Sequence, residues 1–471
     1  MSNVSQRARP GVVLAVVCSA VVLASLDLFI VNVALPDIGR ELGESDLATL
    51  SWVLNAYAIV YAALLVVLGR VAERWDRRTG FLAGVVLFTV ASAACGAADS
   101  IEALVAFRIV QAAGAALLTP TSLGLVLATA PPERRQASVR TWAAVGGLAA
   151  ALGPVVGGLL VAASWRWVFL VNVPIGLLAL VAGLRLLPQV PGHPVRRPSL
   201  VEAGLVTGGI ALITLALVEG ERWGWGAPET VLVGVGGIAA LAVVAWLLPR
   251  SDRPLVDPAL LRVRSFAGAA TAMLVFSTAF GGMLLSIVLW EQEVWGWSAV
   301  RTGLAIAPGP LLVPVLAAVA GRLIPRYGSG RVATVGSLVF ASGFAWWAIG
   351  ASATPNYPAG VLGGMVLTGI GVGLVLPTLM ATATADLPPS SFATGSAVVN
   401  MLRQVGLAIG VAITVAVLGT PIGPDAAEDA FARAWWVLTA LGVGSGLLTA
   451  VLLRRRASAP APGGEEALAT P

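Results

Sequence analysis

The sequence has few charged residues and almost no side chains of the kinds that bind metals or form disulfides. Only 11% of its 471 residues are charged, against roughly 25% in a typical soluble domain, which excludes an ordinary soluble enzyme. Its two cysteines, Cys18 and Cys95, lie in apolar runs, and its one histidine, His193, lies in a stretch rich in Pro and Arg. These residues provide neither a disulfide framework nor a metal cluster, so we expect no metal site and no cofactor.

Lysine is absent, and all 29 basic residues are arginine. The resulting net charge of +5 is a weak indication of nucleic-acid binding even in a soluble protein. We therefore expect no nucleic-acid partner. We also find no nucleophile with a nearby base, which argues against an enzyme.

Apolar residues dominate the chain, at 58% of all positions with a mean hydropathy of +0.89. A membrane-spanning helix needs about 20 predominantly apolar residues, and fourteen such stretches follow one another with short polar breaks. They lie at about residues 12–35, 50–69, 79–98, 101–128, 138–163, 166–187, 200–218, 229–249, 265–291, 300–322, 330–352, 357–381, 393–418 and 431–453. The sequence thus predicts an all-α polytopic membrane protein with fourteen transmembrane helices, the first ending at Pro36.

The distribution of arginine sets the expected orientation of these spans. With the N-terminus inside, 22 of the 29 arginines fall in inner segments and five fall in outer loops. Cytoplasmic loops are enriched in positive charge, so we expect a multi-pass plasma-membrane protein with both termini cytoplasmic.

A short repeated pattern divides the predicted spans into two halves. Residues 69–75 after span 2 and residues 321–327 after span 10 both read Gly, Arg, aliphatic, two variable positions, Arg, aromatic. Many transporters consist of two such related halves. We predict an N-terminal six-helix bundle at 1–189, an inserted pair of helices (7 and 8) with linkers at 190–262, a C-terminal six-helix bundle at 263–456 and a disordered tail at 457–471.

Three charged residues are predicted to lie deep inside spans, away from the span ends. Asp27 in span 1 is the only carboxylate placed deep in one, and Arg108 and Arg403 are the two intramembrane cations. Such residues are costly in a bilayer and usually functional. Asp27 is therefore a candidate proton-coupling residue with Arg108 as its partner, although a helix-end acid reaching toward the interface is the simpler alternative for Asp27. Arg403 could equally satisfy backbone carbonyls at a broken helical turn.

Other polar and small residues suggest a cavity, a loop that controls access and a close helix contact. Polar side chains expected to line a substrate cavity or polar network are Asn32, Asn55, Tyr57, Gln111, Asn400, Arg403 and Gln404. The candidate gating loop contains Gly69, Glu73, Arg74, Asp76, Arg77 and Arg78, where an ion-pair latch or a simple positive-inside anchor is expected. Span 5 carries Gly146, Gly153, Pro154, Gly157 and Gly158, a spacing that permits close helix approach, with a bend at the proline.

Taken together, these motifs resemble the major facilitator superfamily, and within it the fourteen-helix drug:proton antiporters. Similar motifs are residues 26–36 in span 1, 69–78 in the following loop, 108–114 in span 4, 146–158 in span 5, 165–176 and 400–406. The resemblance covers nearly the whole chain. This chain departs from the family pattern at Glu73 and Asp76 in the loop, and at Glu291, where an apolar residue is more usual.

This resemblance implies a rocker-switch exporter of lipophilic drugs, antibiotics or natural products, with two six-helix bundles around a cavity. Asp27 would be the proton-coupling carboxylate and Arg108 its neighbour. The expected partners are a small lipophilic substrate, protons and the lipid bilayer, and we expect a monomer. Because we find no second deep carboxylate, we expect neutral or singly cationic substrates rather than dications. An importer or facilitator of a small metabolite on the same fold remains the main alternative, followed by a receptor that does not transport.

Overall fold

The computed structural model describes residues 10–191, 199–252, 254–387, 391–419 and 423–453, and within these ranges its regular structure is helical. His193 and the predicted tail at 457–471 lie outside the described residues. The helices are α1 (Pro10–Leu42), α2 (Leu47–Arg74), α3 (Arg77–Gly96), α4 (Ile101–Thr129), α5 (Pro132–Val161), α6 (Trp167–Leu170), α7 (Asn172–Leu186), α8 (Leu200–Trp223), α9 (Pro228–Leu247), α10 (Pro258–Arg262), α11 (Arg264–Leu289), α12 (Ala299–Ile306), α13 (Pro308–Tyr327), α14 (Ser329–Gly350), α15 (Gly363–Ala385), α16 (Phe392–Leu418) and α17 (Pro424–Leu452). Two π-helical turns, Trp290–Val294 and Tyr357–Leu362, lie after α11 and before α15.

The number of membrane spans agrees with the sequence prediction. Within the described residues, thirteen segments are long and apolar enough to cross a membrane, and the two bent parts of α5 supply a fourteenth. The helix axis bends by 42° between these parts, Ala144–Ala150 and Leu152–Val161. Pro154 explains this bend, because proline lacks an N–H and removes a helical hydrogen bond to residue 150. The all-α, fourteen-span prediction is confirmed.

For description we call α1–α7 the N-terminal bundle and α11–α17 the C-terminal bundle. With fourteen crossings, Pro10 and Leu453 lie on the same face, which we call the terminal side, and the other face is the opposite side. Helix α8 packs against both α2 and α16. Helix α9 packs mainly on α8, and only 17% of the residues in its most apolar stretch are buried inside the protein. Helix α9 therefore faces outward.

The first helix does not end at Pro36 as predicted, but continues to Leu42 with the proline inside it. Residues 29–36 are all buried by neighbouring helices. In spanning helices, packing against neighbours and side-chain hydrogen bonds compensates for the missing proline N–H. In this region the Asn32 amide donates to the carbonyls of Leu28 and Phe29, each at 3.4 Å.

On the opposite side, the two bundles meet at a contact between α5 and α12, which we call the opposite-side gate. A Cβ added at Gly158 of α5 would lie 2.4 Å from the carbonyl oxygen of Ala299. A Cβ added at Gly303 of α12 would lie 2.5 Å from the carbonyl oxygen of Pro154. Glycine at these positions lets the two backbones touch, so the two bundles are in direct contact here.

We expect Gly158→Ala to favour an open gate, because its new methyl group collides with the Ala299 backbone. Overpacking of this kind costs about 1–3 kcal/mol, roughly a 5- to 150-fold shift between closed and open forms. Spin labels at the exposed Asp99 and Asp429, one in each bundle on the opposite side, would report the distance. Gly147→Ala is the matched control on the same helix, since a Cβ there meets nothing within 4 Å. Equal distance distributions for both variants would contradict this account of the gate.

Candidate functional site

The centre of the N-terminal bundle contains a fully buried ion pair between Asp27 of α1 and Arg108 of α4. Both side chains are 0% exposed, and Arg108 Nη1 donates to Asp27 Oδ2. The other carboxylate oxygen, Oδ1, accepts hydrogen bonds from Gln111 Nε2 at 2.7 Å and from Asn172 Nδ2 at 3.1 Å. This carboxylate is therefore surrounded by donors from two helices, α4 and α7, as a charge deep in a membrane protein requires.

Arg108 is fixed by contacts on several sides. Its Nε donates to the carbonyl oxygen of Val53 at 3.1 Å, and its Nη1 also donates to Gln111 Oε1 at 2.8 Å. The guanidinium lies 4.0 Å from the centre of the Tyr57 ring and 5.8 Å from that of Phe169, in cation–π geometry. Only Nη2 has no hydrogen-bond partner among the described residues.

Two members of this polar network were not identified from the sequence. Ser92 Oγ of α3 accepts hydrogen bonds from Gln111 Nε2 at 2.7 Å and from Asn172 Nδ2 at 3.0 Å. Asn172, at the start of α7, therefore connects Ser92 to Asp27. Asn172 lies inside the 165–176 motif and is the one polar side chain among its last five residues, which is the signal that could have singled it out.

Beside this network, a small cavity lies between the two bundles. Asn32, Asn55 and Arg108 are its polar wall residues, and α11 and α16 supply apolar wall from the C-terminal bundle. The remaining wall residues are Leu28, Phe29, Leu54, Ala58, Gly281, Leu284, Leu407, Ala408 and Val411. A mostly apolar wall with a few polar groups suits a small lipophilic ligand. Of the network, Arg108 alone is among these wall residues, while Asp27, Tyr57 and Gln111 lie behind it.

The predicted polar residues of α16 do not join the Asp27 network. Asn400 Nδ2 donates to the carbonyl oxygen of Ser396 at 3.0 Å on its own helix. Gln404 is 1% exposed, and its Oε1 has no partner in the described part of the chain. Arg403 lies within electrostatic range of Tyr61 on α2. None of these three residues is among the wall residues of the cavity, and the hydrogen-bonded network around Asp27 is formed by N-terminal bundle residues in the described part of the chain.

The candidate gating loop is held to its own bundle by capping and backbone contacts. Asp76 caps α3, accepting from Thr79 N at 2.9 Å, and also accepts from Val190 N at 2.7 Å. Arg77 donates to the Gly124 carbonyl oxygen at 3.1 Å, and Arg78 donates to that of Leu184. Asp76 thus serves as a helix cap and takes no part in an ion-pair latch among the described contacts. The side chains of Glu73 and Arg74 lie outside the described set, and a Cβ at Gly69 would make ordinary contact with Pro120 at 3.6 Å.

The glycines of α5 let this helix pack closely against α1. An added Cβ would lie 2.9 Å from Val21 at Gly146, 2.8 Å from Phe29 at Gly153 and 2.9 Å from Ile30 at Gly157. Gly158 faces the other way, toward α12 at the opposite-side gate. The small-residue spacing therefore produces two close contacts, one within the N-terminal bundle and one between the bundles.

Asp27 is not the only carboxylate buried within a span, contrary to the sequence expectation. Glu291, in the π-helical turn after α11, is 0% exposed. The sequence placed it at the outer end of span 9, where neighbouring tryptophans suggest an interface. The π turn and the helices packed around it remove it from solvent.

These features define a polytopic α-helical membrane protein with two helix bundles, a cavity between them and an intramembrane ion pair at its wall. The family model of the Major Facilitator Superfamily matches residues 17–411. The chain therefore belongs to the Major Facilitator Superfamily, and the resemblance noted from its motifs is confirmed.

Several curated relatives are transporters associated with antibiotics. The puromycin resistance protein of Streptomyces alboniger is 36% identical over 458 residues, covering 93% of this chain and 90% of that protein. The methylenomycin A resistance protein of Streptomyces coelicolor is 31% identical, covering 87% and 86% of the two chains. The tetracenomycin C resistance and export protein of Streptomyces glaucescens is 30% identical, covering 91% and 79%.

A solved structure shows the same fold at greater distance. A POT family transporter in complex with 5-aminolevulinic acid superimposes with a TM-score of 0.66 at 17% identity, covering 94% of this chain and 96% of that one. The similarity extends over nearly the whole length of both proteins.

We expect Arg108→Gln alone to destabilise the protein by about 3–5 kcal/mol, because it leaves Asp27 buried without its countercharge. The double variant Asp27→Asn, Arg108→Gln removes both charges and should be more stable than Arg108→Gln. Unfolding of the purified protein in detergent would measure both. Arg40→Gln is the control, since the Arg40–Asp37 pair has side chains 66% and 26% exposed and should contribute at most about 1 kcal/mol. Additive losses in the double variant would contradict the pairing.

Proposed function

We propose that this protein exports lipophilic antibiotics or related small molecules by proton antiport, using alternating access of its central cavity. The observation that carries the proposal is the position of Arg108. This side chain is both the ion-pair partner of Asp27 and part of the cavity wall. A single group can therefore respond to the charge of Asp27 and to the occupant of the cavity.

In this mechanism, Asp27 carries the proton. When Asp27 is ionised, it holds Arg108 through Oδ2 while Gln111 and Asn172 hold Oδ1. Protonation removes the negative charge and weakens its hold on the guanidinium. Arg108, whose Nη2 is unpaired, can then reorganise toward the cavity. Proton and substrate occupancy thereby compete through one side chain, as antiport requires.

The driving force and direction follow from the membrane. The arginine-rich terminal side is cytoplasmic in this proposal, with both termini inside, so the closed opposite-side gate faces outward. Each proton moving inward across 100 mV contributes about 2.3 kcal/mol to export. Relatives named for antibiotic resistance or export support the outward direction of substrate flux. The protein acts as a monomer surrounded by lipid, without a cofactor and without enzymatic chemistry.

The direct test is transport in proteoliposomes carrying a proton gradient. We expect Asp27→Asn to slow proton-driven efflux by about tenfold or more, a loss of about 1.4 kcal/mol or more, because Asn cannot bind and release the proton. A lipophilic fluorescent cation, puromycin, tetracenomycin C and methylenomycin A are suitable probes. A protonophore should abolish wild-type efflux.

Asp37→Asn on the same helix is the matched control, because Asp37 pairs with Arg40 at 3.0 Å near the opposite side. It should transport as the wild type does. Efflux that is insensitive to both the protonophore and Asp27→Asn would favour the alternative, a facilitator or importer of a small metabolite.

Substrate charge gives an independent prediction. The cavity wall contains two amides and the paired Arg108, but no uncompensated carboxylate among the described wall residues. We expect a neutral compound or a lipophilic monocation to be transported at least tenfold faster than a rigid dication of similar size, as measured in the same vesicles. Strong efflux of the dication that depends on Asp27 would show that this account of substrate charge is wrong.

A further inference from the structure

The opposite-side gate includes the π-helical turn Trp290–Val294 as well as α12. Gln292 Nε2 of this turn donates to the Val33 carbonyl oxygen of α1 at 3.0 Å, across the boundary between the two bundles. After the turn, α12 presses its backbone against that of α5 at Gly158 and Gly303. Residues on the turn and on α12 therefore change surroundings when the gate opens.

Glu291 lies inside this closed region, and its side chain is poorly satisfied there, with the Thr302 hydroxyl as its nearest potential donor. It is 0% exposed, and both carboxylate oxygens lack a hydrogen-bond partner in the described part of the chain. The Thr302 hydroxyl of α12 faces this carboxyl and lacks a partner as well. The burial and the missing donors distinguish Glu291 from Asp27, whose two oxygens are both occupied by donors.

Among the described charged and titratable groups around Glu291, Arg301 is the cation that acts on a negative charge there, and it does so from an exposed position. Arg301 of α12 is exposed and stacks on Trp297, with its guanidinium carbon 3.8 Å from the ring centre. The Tyr357 hydroxyl donates to the Ala305 carbonyl oxygen at 2.7 Å. On α17, Glu428 accepts a hydrogen bond from the Ala353 backbone and Asp429 is exposed.

The remaining neighbours are also engaged or distant. On α1, Asp37 and Arg40 pair with each other. On α17, Arg433 is exposed. The turn's own second acid, Glu293, is exposed.

The closed gate therefore favours the protonated form of this carboxyl. A buried carboxylate without donors is strongly disfavoured relative to its neutral acid. When α12 moves away from α5, the site gains water and the ionised form becomes favourable. By linkage, a proton that binds more tightly to the closed form stabilises that form by the same factor.

We infer that Glu291 is a second proton-binding site, and that the opposite-side gate closes only after this carboxyl takes up a proton from the solution on that side. This inference rests on the proposed antiport function, in which an outward-facing protein must bind a proton before it returns. The gate then controls access to the cavity, while Asp27 and Arg108 couple proton to substrate within it.

The experiment measures gate closure directly as a function of pH. Spin labels at Asp99→Cys and Asp429→Cys report the distance between bundles on the opposite side, and a sample with only the buried native Cys18 and Cys95 gives the background. In the wild type, we expect the closed-to-open ratio to fall by up to tenfold per unit rise in pH, the limit for one proton. In Glu291→Gln, a neutral side chain, the ratio should stay high and independent of pH.

Two further variants guard against a structural artefact. Glu293→Gln changes the exposed acid in the same turn and should titrate as the wild type does. Glu291→Asp keeps a titratable carboxyl and should retain a pH-dependent ratio, with a different midpoint. A wild-type pH response in Glu291→Gln, or its loss in Glu293→Gln, would overturn the assignment.

The same labels separate this inference from the proposed function. In the Asp27→Asn background, the pH response of the gate should persist, because Glu291 does not belong to the Asp27 network. If the gate keeps its pH response but the wild type shows no proton-driven efflux, the antiport proposal is refuted and the Glu291 site remains supported. Loss of the response in Asp27→Asn alone would assign gate control to Asp27 and refute the Glu291 site.

Discussion

The ion pair between Asp27 and Arg108 is the constraint on which the organisation of the N-terminal bundle depends. A charge in the membrane interior is tolerated only when other groups compensate it, and here a single countercharge is not enough. Gln111, Asn172 and Ser92 complete the hydrogen bonding around Asp27. Tyr57 and the Val53 carbonyl hold the guanidinium. Helices α1, α2, α3, α4 and α7 must therefore converge on one point, and the wall of the cavity is placed beside that point.

The C-terminal bundle differs in that its distinctive contacts are those with the N-terminal bundle. Glycines at 158 and 303 let α5 and α12 touch backbone to backbone, and Gln292 adds a hydrogen bond to α1. Glu291 is enclosed by this closure without donors. One bundle thus holds a compensated charge, while the other holds an uncompensated acid at the seam. This asymmetry supports the different roles that we propose for the two carboxyls, one beside the cavity and one at the gate.

Much of the fold and part of the site could be predicted because a membrane makes charge and polarity rare. Hydropathy identified the fourteen spans, and the scarcity of intramembrane charge singled out Asp27 and Arg108 as partners. The same reasoning failed at Pro36, where buried surroundings allow a helix to continue through proline. It also failed at Ser92 and Asn172, because the role of a neutral polar side chain depends on which groups face it in the folded protein.

The sequence by itself determined the number and type of the helices, the positions of the intramembrane charges and the family, because these follow from composition, spacing and motif order along the chain. Only the tertiary structure decided which polar residues meet. It placed Asn172 on Asp27, separated Arg403 and Gln404 from that network, and enclosed Glu291 at a contact between residues distant in sequence. The physical reason is that the burial and hydrogen bonding of a side chain depend on the groups around it. In this protein those groups come from several helices at once.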